Sequence, residues 1–165
     1  MLRTALLHPA STTAPNFAPF GQLIAPSADG TPFGPSDAQL VLNNGTPRLY
    51  IMRLKSRGLA FDRITRHVRV TQCLAAVGGG EWLLAVAPPL RPDDRAAMLD
   101  PASIQAFRIS GLVGLKLHRG TWHAGPFFTA PEMDFLNLEL ADTNETDHVD
   151  CHLGRDHGVT FRFEV

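Results

Sequence analysis

Two imidazoles, a guanidinium and an indole fall within six positions at His118-Arg119-Gly120-Thr121-Trp122-His123, between the apolar Val113 to Leu117 segment and Phe127-Phe128. A neutral imidazole exchanges protons near neutral pH, and the same nitrogen lone pair binds divalent metals. A histidine pair at a turn can therefore supply a proton carrier, a ligand, or one of each. Taken singly, either histidine reads as a packed and hydrogen-bonded turn residue. The pair reads as a site, because a third imidazole, His67, lies upstream with Gln72 five positions beyond it. Lys116 and Arg119 add positive charge, and the planar fork of an arginine matches a carboxylate.

These side chains need elements to hold them. Val113, Leu115 and Leu117 alternate with Gly114, Lys116 and His118, which predicts a strand with Lys116 and His118 on one face. Arg119-Gly120 supplies a turn, across which His123 can face His118. Residues 61–66 predict another strand that leads into His67. Five is an odd separation, so an uninterrupted strand sends His67 and Gln72 to opposite faces. A shared site requires a turn or bulge between them, and Val68-Arg69-Val70-Thr71 is poor turn material. Asn43-Asn44-Gly45, after an apolar run, predicts a turn and gives Asn44 a structural reading beside any role in binding.

The remainder is cut into short pieces by 13 Pro and 14 Gly spread along the chain, which suits strands better than long helices. Strands are predicted over residues 1–8, 48–54, 104–109, 133–140 and 159–165, with Phe135, Asn137 and Glu139 sharing one face of the fourth. Residues 71–87, interrupted by Gly78-Gly79-Gly80, predict a hairpin. The triple glycine lacks the Lys-Ser/Thr of a phosphate loop. Phe17, Phe20, Leu23 and Ile24 are spaced for one short helix or turn, and residues 93–99 allow a helical turn. About ten short strands with one or two short helices predict an all-β domain, a jelly roll or double-stranded barrel, since closure removes exposed sheet edges.

At 165 residues the chain suits a single domain over 1–165. With 44% hydrophobic and 19% charged residues and a net charge of -1, it has no basic excess, so no nucleic-acid partner is expected. No apolar run approaches the ~20 residues that span a bilayer, and the opening residues lack a secretory core. A cytoplasmic location is the default expectation. Cys73 and Cys151 stand far apart and predict free thiols rather than a disulfide framework.

Two motif blocks resemble the cupins. Gly111 and Gly120-Thr121-Trp122-His123 match the second block, and His67, Gln72 and Gly78 fall at second-histidine, glutamate and glycine positions of the first. Over most of its length the chain more closely resembles the ureidoglycolate lyase family, formerly called ureidoglycolate hydrolases. The shared stretches are Phe17-Ala18-Pro19-Phe20-Gly21, Leu42-Asn43-Asn44-Gly45, Thr65-Arg66-His67 with Thr71-Gln72, Val86-Ala87, His118 to His123, and Asp134-Phe135-Leu136. The chain departs from that pattern where Val68-Arg69-Val70 replaces a Pro-Leu-Gly turn and where Glu139-Leu140 replaces an acidic-basic pair.

The resemblance implies a cupin-like fold, a homodimer, nickel or another divalent metal as cofactor, and release of urea and glyoxylate from ureidoglycolate in allantoin breakdown. That chemistry needs a base, an acid and a cation for the substrate carboxylate. On this reading His67 and His123 hold the metal with Gln72 as an oxygen ligand, and His118, together with His67, is catalytic, His118 carrying the proton. Arg119 or Lys116 holds the carboxylate, with Asn44 and Trp122 on the substrate side, although Trp122 and Phe127 also read as packing. The alternatives are a non-catalytic cupin that binds a small carboxylate and a cupin enzyme with a different substrate.

Overall fold

The run Trp82-Leu83-Leu84-Ala85-Val86-Ala87 has no polar face because both of its faces are covered. In the computed structural model, which describes residues 2–165, all six residues are buried. Leu83, Ala85 and Ala87 enter one core cluster, while Trp82, Leu84 and Val86 enter another. A continuous apolar strand is what a central layer requires.

Among the described residues the strands run in the order β1 (Arg3–Leu7), β2 (Ala10–Ser11), β3 (Gly21–Ile24), β4 (Pro47–Lys55), β5 (Ala60–Phe61), β6 (Arg63–Arg66) and β7 (Gln72–Ala76). They continue as β8 (Trp82–Ala87), β9 (Gln105–Ile109), β10 (Gly114–Leu117), β11 (Trp122–Phe127), β12 (Glu132–Leu140), β13 (Val149–His152) and β14 (Val159–Phe163). The central layer is a six-stranded sheet ordered β13-β6-β11-β8-β9-β2. On one side lies a five-stranded sheet, β3-β10-β7-β12-β4, and on the other the small sheet β1-β14-β5. From β6 onward the chain passes repeatedly between the two large sheets: β6 in the six-stranded sheet, β7 in the five-stranded one, β8 and β9 back, then β10, β11, β12 and β13 in alternation. This is the expected all-β, cupin-like architecture.

Crossing between sheets changes one sequence expectation. Residues 71–87 do not form a hairpin, because β7 pairs with β10 and β12 while β8 pairs with β9 and β11. Gly78 and Gly79, with φ of 89° and 73°, turn the chain from one layer to the next. The helix expected near residues 17–24 lies earlier and is shorter. It is α1 (Ala14–Phe17), capped by Thr13 Oγ1, which accepts from the Asn16 N–H. Phe17 and Phe20 still bury, packing edge-on against Phe107 at centroid distances of 5.2 and 5.5 Å. Gly21 then lets β3 lie against β10: a Cβ there would stand 1.9 Å from the Lys116 carbonyl oxygen.

The remaining helices are α2 (Thr143–Thr146), α3 (Leu153–His157) and a single 3-10 turn at Pro101–Ser103, and the residues 88–100 contain turns only. No described helix is long and apolar enough to cross a membrane. Cys73 and Cys151 are free thiols.

Candidate functional site

Residues 67–71 carry the chain from β6 in one large sheet to β7 in the other. His67 and Gln72 consequently project from two facing sheets into the space between them, and the odd separation no longer keeps them apart. The turn comes from a distant carboxylate rather than from turn-forming residues. Asp147, 1% exposed, accepts from the backbone N–H groups of Val68 (2.9 Å) and Arg69 (2.7 Å) and pairs with Arg95 at 3.4 Å. Its own carbonyl oxygen accepts from His67 Nδ1 at 2.5 Å. The turn at Gly120, with φ of 80°, closes on the other side, where the Gly120 N–H donates to the His67 carbonyl at 2.6 Å. A Cβ on Gly120 would lie 2.9 Å from Pro92.

β11 sets His123 between Thr65 of β6 and Val86 of β8, on the face that meets the five-stranded sheet. The imidazole centroids of His67 and His123 are 5.1 Å apart, and that of His148 is 5.6 Å from His67. From the opposing sheet come Tyr50 of β4, Gln72 of β7, and Asn137 and Glu139 of β12. All of these line one cavity of about 360 Å³.

Hydrogen bonds fix the state of these groups. A carbonyl only accepts, so the contacts of His67 Nδ1 to Asp147 O and of His123 Nδ1 to Thr121 O (3.2 Å) place the proton on Nδ1 in both rings. Each Nε2 therefore keeps its lone pair. Desolvation, then the proximity of a second imidazole at His67, pushes the His123 imidazole down to about 3, against a Thr121 hydrogen bond that opposes the shift. Desolvation also lowers His67, with the Asp147 carbonyl opposing it.

Glu139 is 1% exposed and accepts from Tyr50 Oη (3.2 Å), Gln72 Nε2 (3.0 Å) and Asn144 Nδ2 (3.4 Å). Asn137 Nδ2 donates to Tyr50 Oη at 3.0 Å, which directs the phenolic proton toward Glu139. Burial, more than any neighbour, raises the Tyr50 pKa and keeps the phenol protonated. The Gln72 amide cannot reverse without setting its oxygen against the Glu139 carboxylate. Its Oε1 is buried and accepts no hydrogen bond among the described residues.

A cavity lined by buried polar groups between the sheets of a cupin-like fold is consistent with a small-molecule site. The family model for ureidoglycolate lyase matches residues 4–158. The chain belongs to the ureidoglycolate lyase family. No curated protein matches it.

For a metal of the kind associated with this family, the two Nε2 lone pairs and the unpartnered Gln72 Oε1 fit as a neutral donor set. The two imidazole centroids are 5.1 Å apart, so the rings are close neighbours in the cavity. No group of three His, Cys, Asp or Glu side chains among the described residues is arranged to hold a metal. An ion here would depend on the amide oxygen.

The structure thus brings His67, His123 and Gln72 together and leaves the other expected residues elsewhere. His118 does not line the cavity; its Nε2 donates to Ala18 O (3.1 Å) and its Nδ1 accepts from Lys116 Nζ (2.9 Å). Lys116 is paired in register with Cys73 and Gln22 on the outer face of the five-stranded sheet. Arg119 is not among the residues lining the cavity; it donates from Nε to Val68 O (2.7 Å) and from Nη2 to Asp93 (2.5 Å), which fastens the bend. Asn44 Nδ2 donates to Arg69 O at 2.7 Å, fastening its turn to the same bend. Trp122 faces the small sheet, with Arg66 Cζ 4.8 Å over its ring.

Glu139, Tyr50 and Asp147 are the functional candidates that the sequence reading missed. For Glu139 the signal existed, since alternation placed it beside Asn137.

Replacing Asp147 with Ala is expected to cost about 2–4 kcal/mol in denaturant unfolding, because two buried N–H groups lose a charged acceptor. A change below about 0.5 kcal/mol would mean that the bend holds itself. A second expectation concerns pH. The unfolded chain protonates His123 below its ordinary 6.5, whereas the folded chain resists until about 3. Stability of metal-free protein should fall as pH drops from about 6.5 toward 3, with His67 acting in the same direction. Denaturation midpoints measured in chelator should show a shallower acid slope for His123→Gln; an identical slope would count against this origin.

Proposed function

We propose that this chain cleaves (S)-ureidoglycolate to glyoxylate and urea. The observation that carries the reading is Glu139: a buried carboxylate, oriented by three donors, lining the same cavity as two neutral histidines. In the proposed reaction Glu139 removes the proton of the substrate hydroxyl. The oxygen electrons form the carbonyl of glyoxylate, the carbon–nitrogen bond breaks toward nitrogen, and the nitrogen takes up the proton to leave as urea. The proton removed in the first half is the one required in the second, so a single carboxylate can serve both halves.

Tyr50 and Gln72 donate to Glu139 and hold its oxygens in place. His67, His123 and Gln72 would hold a divalent ion such as nickel, which when bound supplies Lewis-acid stabilisation of the developing negative charge. The acceptors in the cavity suit the N–H groups of the ureido end. His118, hydrogen-bonded elsewhere, has no part in the proposed chemistry.

Purified protein given (S)-ureidoglycolate, with and without added nickel, should release urea and glyoxylate in equal amounts. Glu139→Gln should lower kcat by about 10²-fold or more. No product under either condition rejects the lyase reading in favour of a non-catalytic carboxylate binder.

We further propose that the protein acts as a homodimer through the outer face of the five-stranded sheet. Ile51, Leu136, Ala75, Gly114 and Ile24 form one apolar row across all five strands. Leu49, Ile51 and Leu136 stand exposed beside a hollow of about 550 Å³ over the small residues Cys73, Ala75 and Gly114. A two-fold related copy can set its ridge into that hollow. The bordering Arg53 is already paired with Asp134, so the face does not select a charged partner. Light scattering should give twice the chain mass for the native protein and the single-chain mass for Leu136→Glu; a monomeric native protein rejects the dimer.

A further inference from the structure

The segment 56–59, which joins β4 to β5 at the rim of the cavity, is fixed on both sides of its one charged residue. Ser56 N–H donates to Pro131 O at 2.9 Å and its Oγ to Phe128 O at 3.1 Å, while Phe163 N–H donates to Leu59 O at 2.9 Å. Gly58, with φ of 80°, completes the turn. Between these anchors Arg57 lines the cavity with its Cζ 4.7 Å over the Phe127 ring. The ring braces the guanidinium face and leaves its N–H edge open.

No ion pair or side-chain hydrogen bond among the described residues involves Arg57. The other charged residues lining the cavity are Asp62, Arg63 and Glu139 beside the histidines. Arg63 is paired with Asp150 at 3.8 Å, and Glu139 is engaged by its three donors. Desolvation first, and the Arg63 charge second, lower the Arg57 pKa, as befits a cation that lacks an acid close by. A guanidinium nonetheless stays charged at neutral pH. The cavity therefore has an uncommitted, bidentate cation at its rim and its acceptors at the other groups.

We propose that Arg57 is the anchor for the substrate carboxylate and so makes the cavity a binder of small carboxylic acids. The proposal rests on the lyase reading for the reaction, though not for the recognition of the anion. A fork–carboxylate pair fixes the acid end in one plane and leaves the hydroxyl and nitrogen of the same carbon to the remaining groups. Both substrate and glyoxylate carry the carboxylate, so Arg57 should contribute to binding each of them.

The test uses the whole protein, loaded with nickel, and glyoxylate as the binding probe. By calorimetry, Arg57→Met should weaken glyoxylate about 10- to 100-fold, and Arg57→Lys should recover part of that loss. With ureidoglycolate the same factor should appear mainly in KM, since the contact is made in ground and transition states alike. Arg63→Met removes equal charge from the same rim and should change glyoxylate affinity by less than about 3-fold, the residue being already paired. Thermal midpoints should differ little among the variants, because Arg57 and Arg63 are both exposed.

Glyoxylate affinity unchanged in Arg57→Met, an equal loss in Arg63→Met, or no glyoxylate binding by the native protein overturns the anchor. Arg57-dependent glyoxylate binding without ureidoglycolate cleavage leaves the anchor standing and removes the lyase reading instead.

Discussion

The site depends on one buried carboxylate that takes no part in the proposed chemistry. Asp147 gathers the N–H groups of Val68 and Arg69 on its two oxygens and the His67 ring on its backbone carbonyl. Burying a charge costs free energy that only close, charge-assisted partners offset, and here two backbone donors and Arg95 do so. In return, five residues with little turn propensity change direction between two sheets. Arg119 and Asn44 fasten the same bend through the carbonyls of Val68 and Arg69. Side chains that read in sequence as ligand-binding groups are thus spent on holding one backbone segment in place.

That bend determines what the cavity can contain. Because the chain alternates between facing sheets, residues distant in sequence meet on inward faces. His67 directly follows β6 and His123 lies on the neighbouring strand β11 of the same sheet, while Gln72, Asn137, Glu139 and Tyr50 come from three adjacent strands of the other. The carbonyl contacts that orient the two imidazoles also fix their tautomers, and desolvation keeps both rings neutral. A neutral ring with its Nδ1 proton anchored presents Nε2 as a fixed acceptor.

Much of the fold was legible because it is written in short-range patterns. Glycine and proline spacing gave many short strands, β8 reads as fully buried, and alternation in β12 separates Leu136 and Leu138 from Asn137 and Glu139. Of the site, His67, His123 and Gln72 were legible through motif spacing. What escaped was set by contacts between distant residues. Gly78 and Gly79 mark a turn in either case, and nothing local distinguishes a hairpin from a passage between sheets. Asp147 lies about eighty positions from the residues it bends, and Lys116 and His118 share a face as expected, but that face is turned away from the cavity. Alternation gives which residues are together, and only the layering gives which side is inside.

The balance of donors and acceptors in the cavity bears on what it holds. Two Nε2 lone pairs, the Gln72 oxygen and the Glu139 carboxylate are all acceptors, and the Tyr50 hydroxyl is already directed at Glu139. An excess of buried acceptors is costly when empty and is relieved by a cation or by a ligand rich in N–H groups. Ureidoglycolate brings N–H donors at one end and an anion at the other, and the uncommitted cation of the rim, Arg57, is complementary to the second. A simple 2-hydroxy acid would satisfy the rim and leave the acceptors unmet. This asymmetry favours the proposed ureido substrate over other small acids so long as the imidazole nitrogens and the Gln72 oxygen are not taken by a metal, which would itself relieve the excess of acceptors.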